Sequence, residues 1–588
     1  HPIGRTPLHH EAVQNRRPAH AREEGARRLN ATKPATLGPA LKTWPAYGAA
    51  VLCGFLYFLA FPGIEIWPLS FVALVPLIVA LRGQTPRRGL WLGWVAGFTM
   101  TMCGFYWLLN MLKTFSGFPT ALCVSFMAIL CAYQAGRVGL CGWLSVRAER
   151  RGWPPGLSFA LAFAASEQLY PLLFPWYYGS TVHQVPALAQ VAELGGPIAV
   201  ALVLICANLA LAEIVIARRE KRTPAWKQVG IYAGIVLFAA LYGAVRIPQV
   251  DRAAQSAPHG RVGLVQANMS LEGKRADQRE GLRRHLRLTR ELERGGDLDL
   301  VVWSETSVMS AIDERNAAAQ LYGRFARQLG VPALFGGVLV REVPDEREYV
   351  LFNSALLTDR SGRLVGRYDK QFLLAFGEYL PFGNEFPVLY RWSPNSGKFT
   401  PGTTLDPLSL GAHQIATFIC YEDIKPSFVN SIVKHGSPDL LANLTNDAWF
   451  GDTTEPWIHL ALAQFRAIEH RRFFVRSTNS GISAFIDPVG RITQHTEPFK
   501  EQVLAENVAW LKARTPYELW GDAPWWLLSL ASVLLAFVSR RGSVPLMPDM
   551  KATPTDVAAL LSHDEQNQNP NNSSTFQDRS RAWFRRAR

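Results

Sequence analysis

The sequence predicts two structures in one chain: a polytopic α-helical membrane domain and, placed before the last apolar segment, a layered α/β domain. Three observations carry this expectation. Residues 45–246 hold a succession of apolar segments of about 20 residues, the length that crosses a ~30 Å hydrocarbon core as helix. Lysine and arginine gather in alternate links between those segments. From Gly260 to about Lys512, short β-rich runs alternate with stretches of helical period, the pattern of an α/β fold. At 588 residues the chain has room for several domains of ~150 residues.

Seven spans are expected in the first part, at 45–62, 64–82, 89–110, 118–142, 156–175, 196–217 and 228–246. An eighth, "APWWLLSLASVLLAFVS" at 523–539, follows the polar insert. Loop charge sets the orientation, because basic residues accumulate on the cytoplasmic side. Arg16, Arg17, Arg22, Arg27 and Arg28 precede the first span; Arg82, Arg87 and Arg88 follow the second. Arg147, Arg150 and Arg151 follow the fourth, and Arg218, Arg219, Lys221 and Arg222 the sixth. The opposite links hold Lys113 and, from Trp176 to Leu194, no basic residue. Both termini are therefore expected in the cytoplasm, with Arg540 and Arg541 at the inner end of the eighth span.

The expected division is a basic cytoplasmic segment (1–44), a seven-helix membrane domain (45–246), a catalytic domain outside the cytoplasm (247–520), the eighth helix (521–541) and a disordered cytoplasmic tail (542–588) containing "NQNPNNSS". The net charge of +14 sits largely in juxtamembrane clusters that suit anionic membrane lipid, which argues against a nucleic-acid partner. The first 40 residues lack the apolar core of a cleavable signal peptide. The chain begins with His1, so its natural start is expected upstream.

Within the insert, strands are expected at 261–269, 298–305, 333–340, 353–359, 415–422 and 439–447, and helices at 275–293, 311–329, 426–434 and 455–471. No repeat is evident. Residues 371–402 break the pattern with a long segment rich in aromatics, Gly and Pro, a candidate functional loop.

Six of the seven cysteines lie before residue 210, leaving Cys420 in "FICYEDI" with no partner for a disulfide in its own domain. Glu305 and Lys370 likewise sit at the ends of apolar runs, where side chains converge above a sheet edge. The three types suit acyl transfer. Glu305 takes the thiol proton, Cys420 attacks a carbonyl, and Lys370 with the main-chain N–H of Tyr421 faces the developing oxyanion. Singly, each also fits a structural role: Cys420 as a small core residue, Glu305 as a helix cap, Lys370 as a surface partner of Asp369.

The motifs "WSE" (303–305), "YDKQFLLAFGEYLPF" (368–382), "CYED" (420–423), "LTNDAWFG" (444–451) and "RAIEHRRFFVRSTNSGIS" (466–483) resemble the apolipoprotein N-acyltransferase family over roughly residues 45–540. The insert is similar to the wider nitrilase superfamily. That resemblance implies an α-β-β-α sandwich, a Glu305–Lys370–Cys420 triad, and supporting roles for Glu378 and Glu422. It also implies the activity: a fatty acyl group passes from a phospholipid donor, through a Cys420 thioester, to the α-amino group of a diacylglyceryl-modified apolipoprotein. A multi-pass protein of the bacterial inner membrane follows, with its catalytic domain in the periplasm. One departure is that "VQANMSLEGKRAD", after the first strand, carries no tryptophan.

Two other readings use the same residues differently: a membrane-tethered amidase or hydrolase with water as acceptor, and a non-catalytic membrane scaffold. Phe372, Phe376, Phe382, Phe386 and Trp392 share the long loop and are candidates to cover an acyl chain. Trp176 and Trp520 suit an interfacial belt. Glu167 and Gln168 interrupt an apolar span and fit either a structural or a headgroup-facing role. His183 and His459 lack ligand spacing, so neither a metal nor another cofactor is expected.

Overall fold

The computed structural model describes residues 40–270, 277–342, 349–375, 377–380, 382–393 and 396–540, with the side chains of Phe115 and Trp392 left undescribed. Most of the basic amino-terminal segment, the tail from 541, part of the stretch noted for lacking tryptophan, and Phe376 lie outside these residues.

The first part is helical: α1 (Thr43–Leu59), α2 (Val75–Leu81), α3 (Pro86–Gly104), α4 (Leu108–Ser116), α5 (Thr120–Arg150), α6 (Pro155–Leu169), α7 (Ala192–Arg219) and α8 (Trp226–Ser256). Helices occupy the expected positions, but length and composition qualify only α5, α7 and α8 to cross a membrane unaided. The pair α3 and α4, bent by 61°, makes a fourth if it is one span. The others are shorter because chain-breaking residues intervene. Pro62 and Gly63 follow α1, and Pro171 follows α6, where the residue before a proline is steered out of helix.

Small residues decide how these helices pack. Gly89, Gly93 and Gly97 form a stripe on α3 that meets Ala135, Val138 and Gly142 of α5, and a Cβ at Gly93 would lie 2.2 Å from the Val138 carbonyl oxygen. The two backbones touch, as helices in lipid do where no side chain intervenes. In α7, Gly195 and Gly196 break the helix before Pro197, with Gly196 at φ 64°.

The second part holds two sheets. The first runs β13-β1-β2-β4-β5-β6, with β3 beside β4; the second runs β12-β11-β10-β9-β8-β7. The strands are β1 (His259–Gln266), β2 (Leu300–Trp303), β3 (Val308–Asp313), β4 (Ala333–Glu342), β5 (Tyr349–Thr358), β6 (Leu364–Asp369), β7 (Leu408–Leu410), β8 (His413–Ile419), β9 (Leu440–Thr445), β10 (Phe474–Thr478), β11 (Ala484–Ile486), β12 (Ile492–His495) and β13 (Gln502–Ala509). Alternation places Val262, Leu264 and Val302 in one core with Phe418, Leu441 and Phe474 of the other sheet. Val265, Val301 and Trp303 face the opposite way, against α9 (Gln278–Arg294) and α10 (Ala317–Arg324). Helices α11 (Pro426–Gly436) and α12 (Glu455–His470) cover the second sheet, completing an α-β-β-α arrangement. Apolar α13 (Ala523–Phe537) follows.

Three expectations need correction. The helix expected at 311–329 is shorter, because Val308–Asp313 pairs in parallel with β4 and buries Val308 and Ile312. The strand expected at 415–422 stops at Ile419. The span expected to end at 246 continues as α8, which runs to Ser256.

The two parts share a core. Trp107 meets Phe450 edge-on at 5.2 Å between centroids, and Phe174 meets Tyr421 at 6.3 Å. Buried Arg471, just past α12, pairs with Glu193 of α7 at 2.5 Å, and Glu193 also holds Arg246 of α8. Within the membrane part, Arg137 pairs with Glu167 at 3.0 Å and donates to the Trp176 carbonyl, so Glu167 has the structural role.

Candidate active site

Three strand ends meet above the facing sheets. Glu305 follows β2, Lys370 follows β6 and Cys420 follows β8, all nearly inaccessible. Gly336 on β4 makes room for the first of them: a Cβ there would lie 2.8 Å from Glu305 Cα.

The charges interlock. Lys370 Nζ lies 3.2 Å from Glu305 Oε1 and 2.8 Å from Glu378 Oε2. Opposite the lysine, Asn353 Nδ2 donates to Glu305 Oε1 and to Glu378 Oε1, each at 2.7 Å. Glu378 also accepts from the Leu374 N–H at 2.7 Å, which ties the long loop to the site. Sequence reasoning missed Asn353, because "YVLFNSALLT" reads as an ordinary strand.

Burial pushes the Glu305 carboxyl above its usual value and Glu378 adds to the push, while Lys370 and the Asn353 amide pull it down. Burial disfavours the Lys370 cation, but Glu305, Glu378 and Cys420 outweigh it and hold the ammonium charged. The Cys420 thiol is pushed well above the ordinary range, by burial first, with Lys370 opposing and both glutamates reinforcing. Burial thus favours the neutral Cys420 thiol, and Lys370, Glu305 and Glu378 all lie close enough to act on it.

Cys420 is not extended. It opens a 3₁₀ turn at φ 55°, a left-handed conformation that costs a non-glycine residue of order 1 kcal/mol or more. Each residue of the turn has an anchor. Asn443 donates to the Cys420 carbonyl at 2.9 Å. The Tyr421 ring stacks on His459 at 4.5 Å, and its hydroxyl bonds Glu455. Buried Glu422 accepts from Tyr368, Ile419, Gln371 and Phe372, which binds the turn to the start of the loop; burial pushes its pKa up to about 7.

Asp423 belongs to a second buried network. Arg476 donates to Asp423 at 2.9 Å and to Asp447 at 3.0 Å, and His459 bridges the same two carboxylates. Burial and Arg476 oppose charge on His459, yet the two aspartates hold its pKa at about 9. His459, Asp447 and Glu455 bring ligand-type atoms within 4.8 Å, a proximity the linear spacing hid. Both ring nitrogens already face carboxylates, so the group forms a salt-bridge network.

A cavity of about 740 Å³ opens from Lys370 and Tyr421. One wall is Leu172, Leu173 and Phe174 from the membrane part; the other is the loop, including Phe372 and Leu374. Of the loop aromatics singled out in the sequence, Phe372 reaches the cavity and packs on Phe428. Phe382 and Phe386 are exposed.

Asn353→Ala should slow adduct formation between Cys420 and an acyl ester by about tenfold at neutral pH, as expected for a hydrogen bond to a charged group. The lost donor favours the Glu305 anion, so its loss raises that pKa and moves the acid limb of the rate to higher pH. An unmoved limb would leave Asn353 a purely structural role.

Residues 53–210 match the family described as apolipoprotein N-acyltransferase N-terminal domain, and residues 261–510 match the carbon-nitrogen hydrolase family. Among solved structures, a Nesterenkonia amidase of the nitrilase superfamily has 18% identity and a TM-score of 0.33, covering 46% of this chain and 97% of its own. A Saccharomyces cerevisiae member of branch 10 of that superfamily has 16% identity and a TM-score of 0.34, covering 45% and 94%. The Geobacter metallireducens apolipoprotein N-acyltransferase is 32% identical over 508 residues, 85% of this chain and 96% of its own. The Azotobacter vinelandii apolipoprotein N-acyltransferase is 34% identical over 520 residues, 85% and 95%. With this likeness along both parts, the chain belongs to the apolipoprotein N-acyltransferase family.

Proposed function

We propose that Cys420 is the acyl carrier of this lipoprotein N-acyltransferase, working in two half-reactions at the membrane surface. The carrying observation is a buried thiol on a strained turn, close enough to Glu305, Lys370 and Glu378 to feel their charges, whose neighbours Lys370 and Tyr421 line a cavity walled by the membrane part.

In the first half, Glu305 takes the thiol proton as Cys420 Sγ attacks a phospholipid ester carbonyl. Lys370 and the Tyr421 main-chain N–H face the oxyanion. The ester C–O bond breaks, Glu305 returns the proton to the departing glycerol oxygen, and lysophospholipid leaves. In the second half, the neutral α-amino group of a diacylglyceryl-modified cysteine attacks the thioester. An N–C bond forms, the S–C bond breaks, and a proton passes through Glu305 to the thiol.

Glu378 keeps Lys370 aimed, and Glu422 holds the turn against the loop. The loop cover is assigned to Phe372 and Leu374, which line the cavity, with Phe376, Phe382, Phe386 and Trp392 as further candidates along the same segment. The topology proposed is eight crossings, with 247–520 in the periplasm, 521–541 as the last crossing and the flanking segments 1–44 and 542–588 in the cytoplasm of a bacterial inner-membrane protein. Its support is the alternation of loop charge.

Phospholipid alone should give a burst of lysophospholipid and a hydroxylamine-sensitive acyl adduct on Cys420. Lys370→Met should slow that burst by about 10²- to 10³-fold, the loss seen on removing one oxyanion donor. An adduct on another residue, or near-normal turnover by the Met variant, would defeat the mechanism.

Phe372→Ser should weaken use of long-chain donors more than short-chain ones, each buried CH₂ being worth about 0.8 kcal/mol. Equal losses for both donors would remove the loop from chain recognition.

In intact spheroplasts an impermeant thiol reagent should reach single cysteines introduced on the exposed surface of 247–520 and spare those in 218–227. Labelling of 218–227 from outside would reverse the orientation.

A further inference from the structure

Tyr421 is held by its side chain, and part of that hold comes from a carboxyl group that takes no part in the proton transfers above. The ring stacks on His459 at 4.5 Å between centroids and meets Phe450 edge-on at 5.6 Å and Phe174 at 6.3 Å. Ring contacts are weakly directional. The hydroxyl has a defined partner: it donates to Oε1 of Glu455, the first residue of α12 and its one polar partner among the described residues.

Glu455 is buried, and its second oxygen, Oε2, has no partner among the described residues. The charge beside it is already balanced, because Arg476 and His459 face Asp423 and Asp447, two cations against two anions. A third carboxylate there would lack a counter-ion. Burial, reinforced by Asp447, accordingly pushes the Glu455 carboxyl up to about 8, with His459, the Tyr421 hydroxyl and Arg476 opposing. At neutral pH it is an uncharged acid, suited to a tether rather than to supplying charge.

The tether reaches the chemistry through the backbone. Cys420 sits at φ 55°, and a conformation of that cost persists only where its surroundings over-determine it. Asn443 holds the Cys420 carbonyl, Glu422 holds the Ile419 N–H, and Glu455 supplies the hold on the Tyr421 side chain. We propose that Glu455 is a positioning residue for acylation: by fixing the Tyr421 hydroxyl it keeps the Tyr421 main-chain N–H, one residue after the thiol, aimed at the oxyanion. This rests on the acyl-carrier reading above.

The test uses the full chain in detergent micelles and follows acylation of Cys420 by a long-chain p-nitrophenyl ester, read as the burst of nitrophenol. Glu455→Ala should lower the rate at saturating ester about tenfold, the scale of one buried hydrogen bond, and leave half-saturation within about twofold. Glu455→Gln keeps an uncharged oxygen at the same reach and should load within about threefold of wild type. Glu455→Asp keeps the carboxyl but is one methylene shorter, so it should resemble the Ala variant. Tyr421→Phe removes the other end of the same bond. The double variant Glu455→Ala, Tyr421→Phe should therefore be no slower than the slower of the two single variants.

Multiplied losses in the double variant, an active Asp variant beside an inactive Gln variant, or a loss confined to half-saturation would each overturn the tether. So would an Ala variant that melts at lower temperature yet loads at the wild-type rate, the behaviour of a residue that only supports the fold. If the Ala variant does not fold, the Gln and Asp variants decide between tether and charge. No adduct on wild-type Cys420 would instead overturn the acyl-carrier reading, and the tether with it.

Discussion

Two carboxylates share one ammonium in a site that water scarcely reaches, and the rest of the catalytic arrangement follows from that constraint. Glu305 and Glu378 both contact Lys370 and both accept from Asn353. With all three ionised the cluster carries a surplus negative charge, which disfavours a second anion beside it. A thiolate at Cys420 is therefore unfavourable, in line with the upward push on that thiol. Removing Lys370 would strand two buried anions, which cost far more than the pair contributes when complete. The backbone around the cluster is fixed accordingly: Lys370 N–H bonds the Asn353 carbonyl, Gly336 leaves space beside Glu305, and Glu422 ties the cysteine turn to the loop.

The residues legible in the sequence were those whose motifs are local. Glu305, Lys370, Glu378 and Cys420 each follow or interrupt an apolar run, so their placement at strand ends could be read one segment at a time. Asn353 could not, since its importance comes from two carboxylates that are 48 and 25 residues away in the chain. The Arg476–Asp423–Asp447–His459 network was hidden for the same reason. The mistaken helix start at 311 came from "AIDERNAAAQL", whose period suits helix; pairing with β4 overrode it. The membrane part was legible as apolar length, but proline and glycine breaks make several helices shorter than their apolar segments.

The two parts are joined by more than a linker. Glu193 holds Arg246 within the membrane part and Arg471 in the α/β part, while Gln464 and His183 bond across the same boundary at 3.1 Å. Phe174 lies against Tyr421, the residue after Cys420. The cavity wall from the membrane part and the turn that presents the thiol are thus registered by direct contact. A change in the membrane helices that moved residues 172–174 would be felt at Cys420 without any intermediary.

That registration bears on how a carbon-nitrogen hydrolase domain serves an acyltransferase. A thioester persists only if water reaches it more slowly than the acceptor amine does. Here Glu305, Lys370 and Cys420 are buried, and the cavity beside them is lined by apolar side chains from both parts together with Lys370, Gln371, Lys398 and Lys425. Those polar groups leave water partners inside the cavity, so the advantage of a lipid-modified amine lies in the apolar chains that Leu172, Leu173 and Phe174 can accept. On the acyl-carrier reading proposed above, selection for transfer over hydrolysis rests on those apolar walls, since proton movements through Glu305 would serve an amine and a water alike.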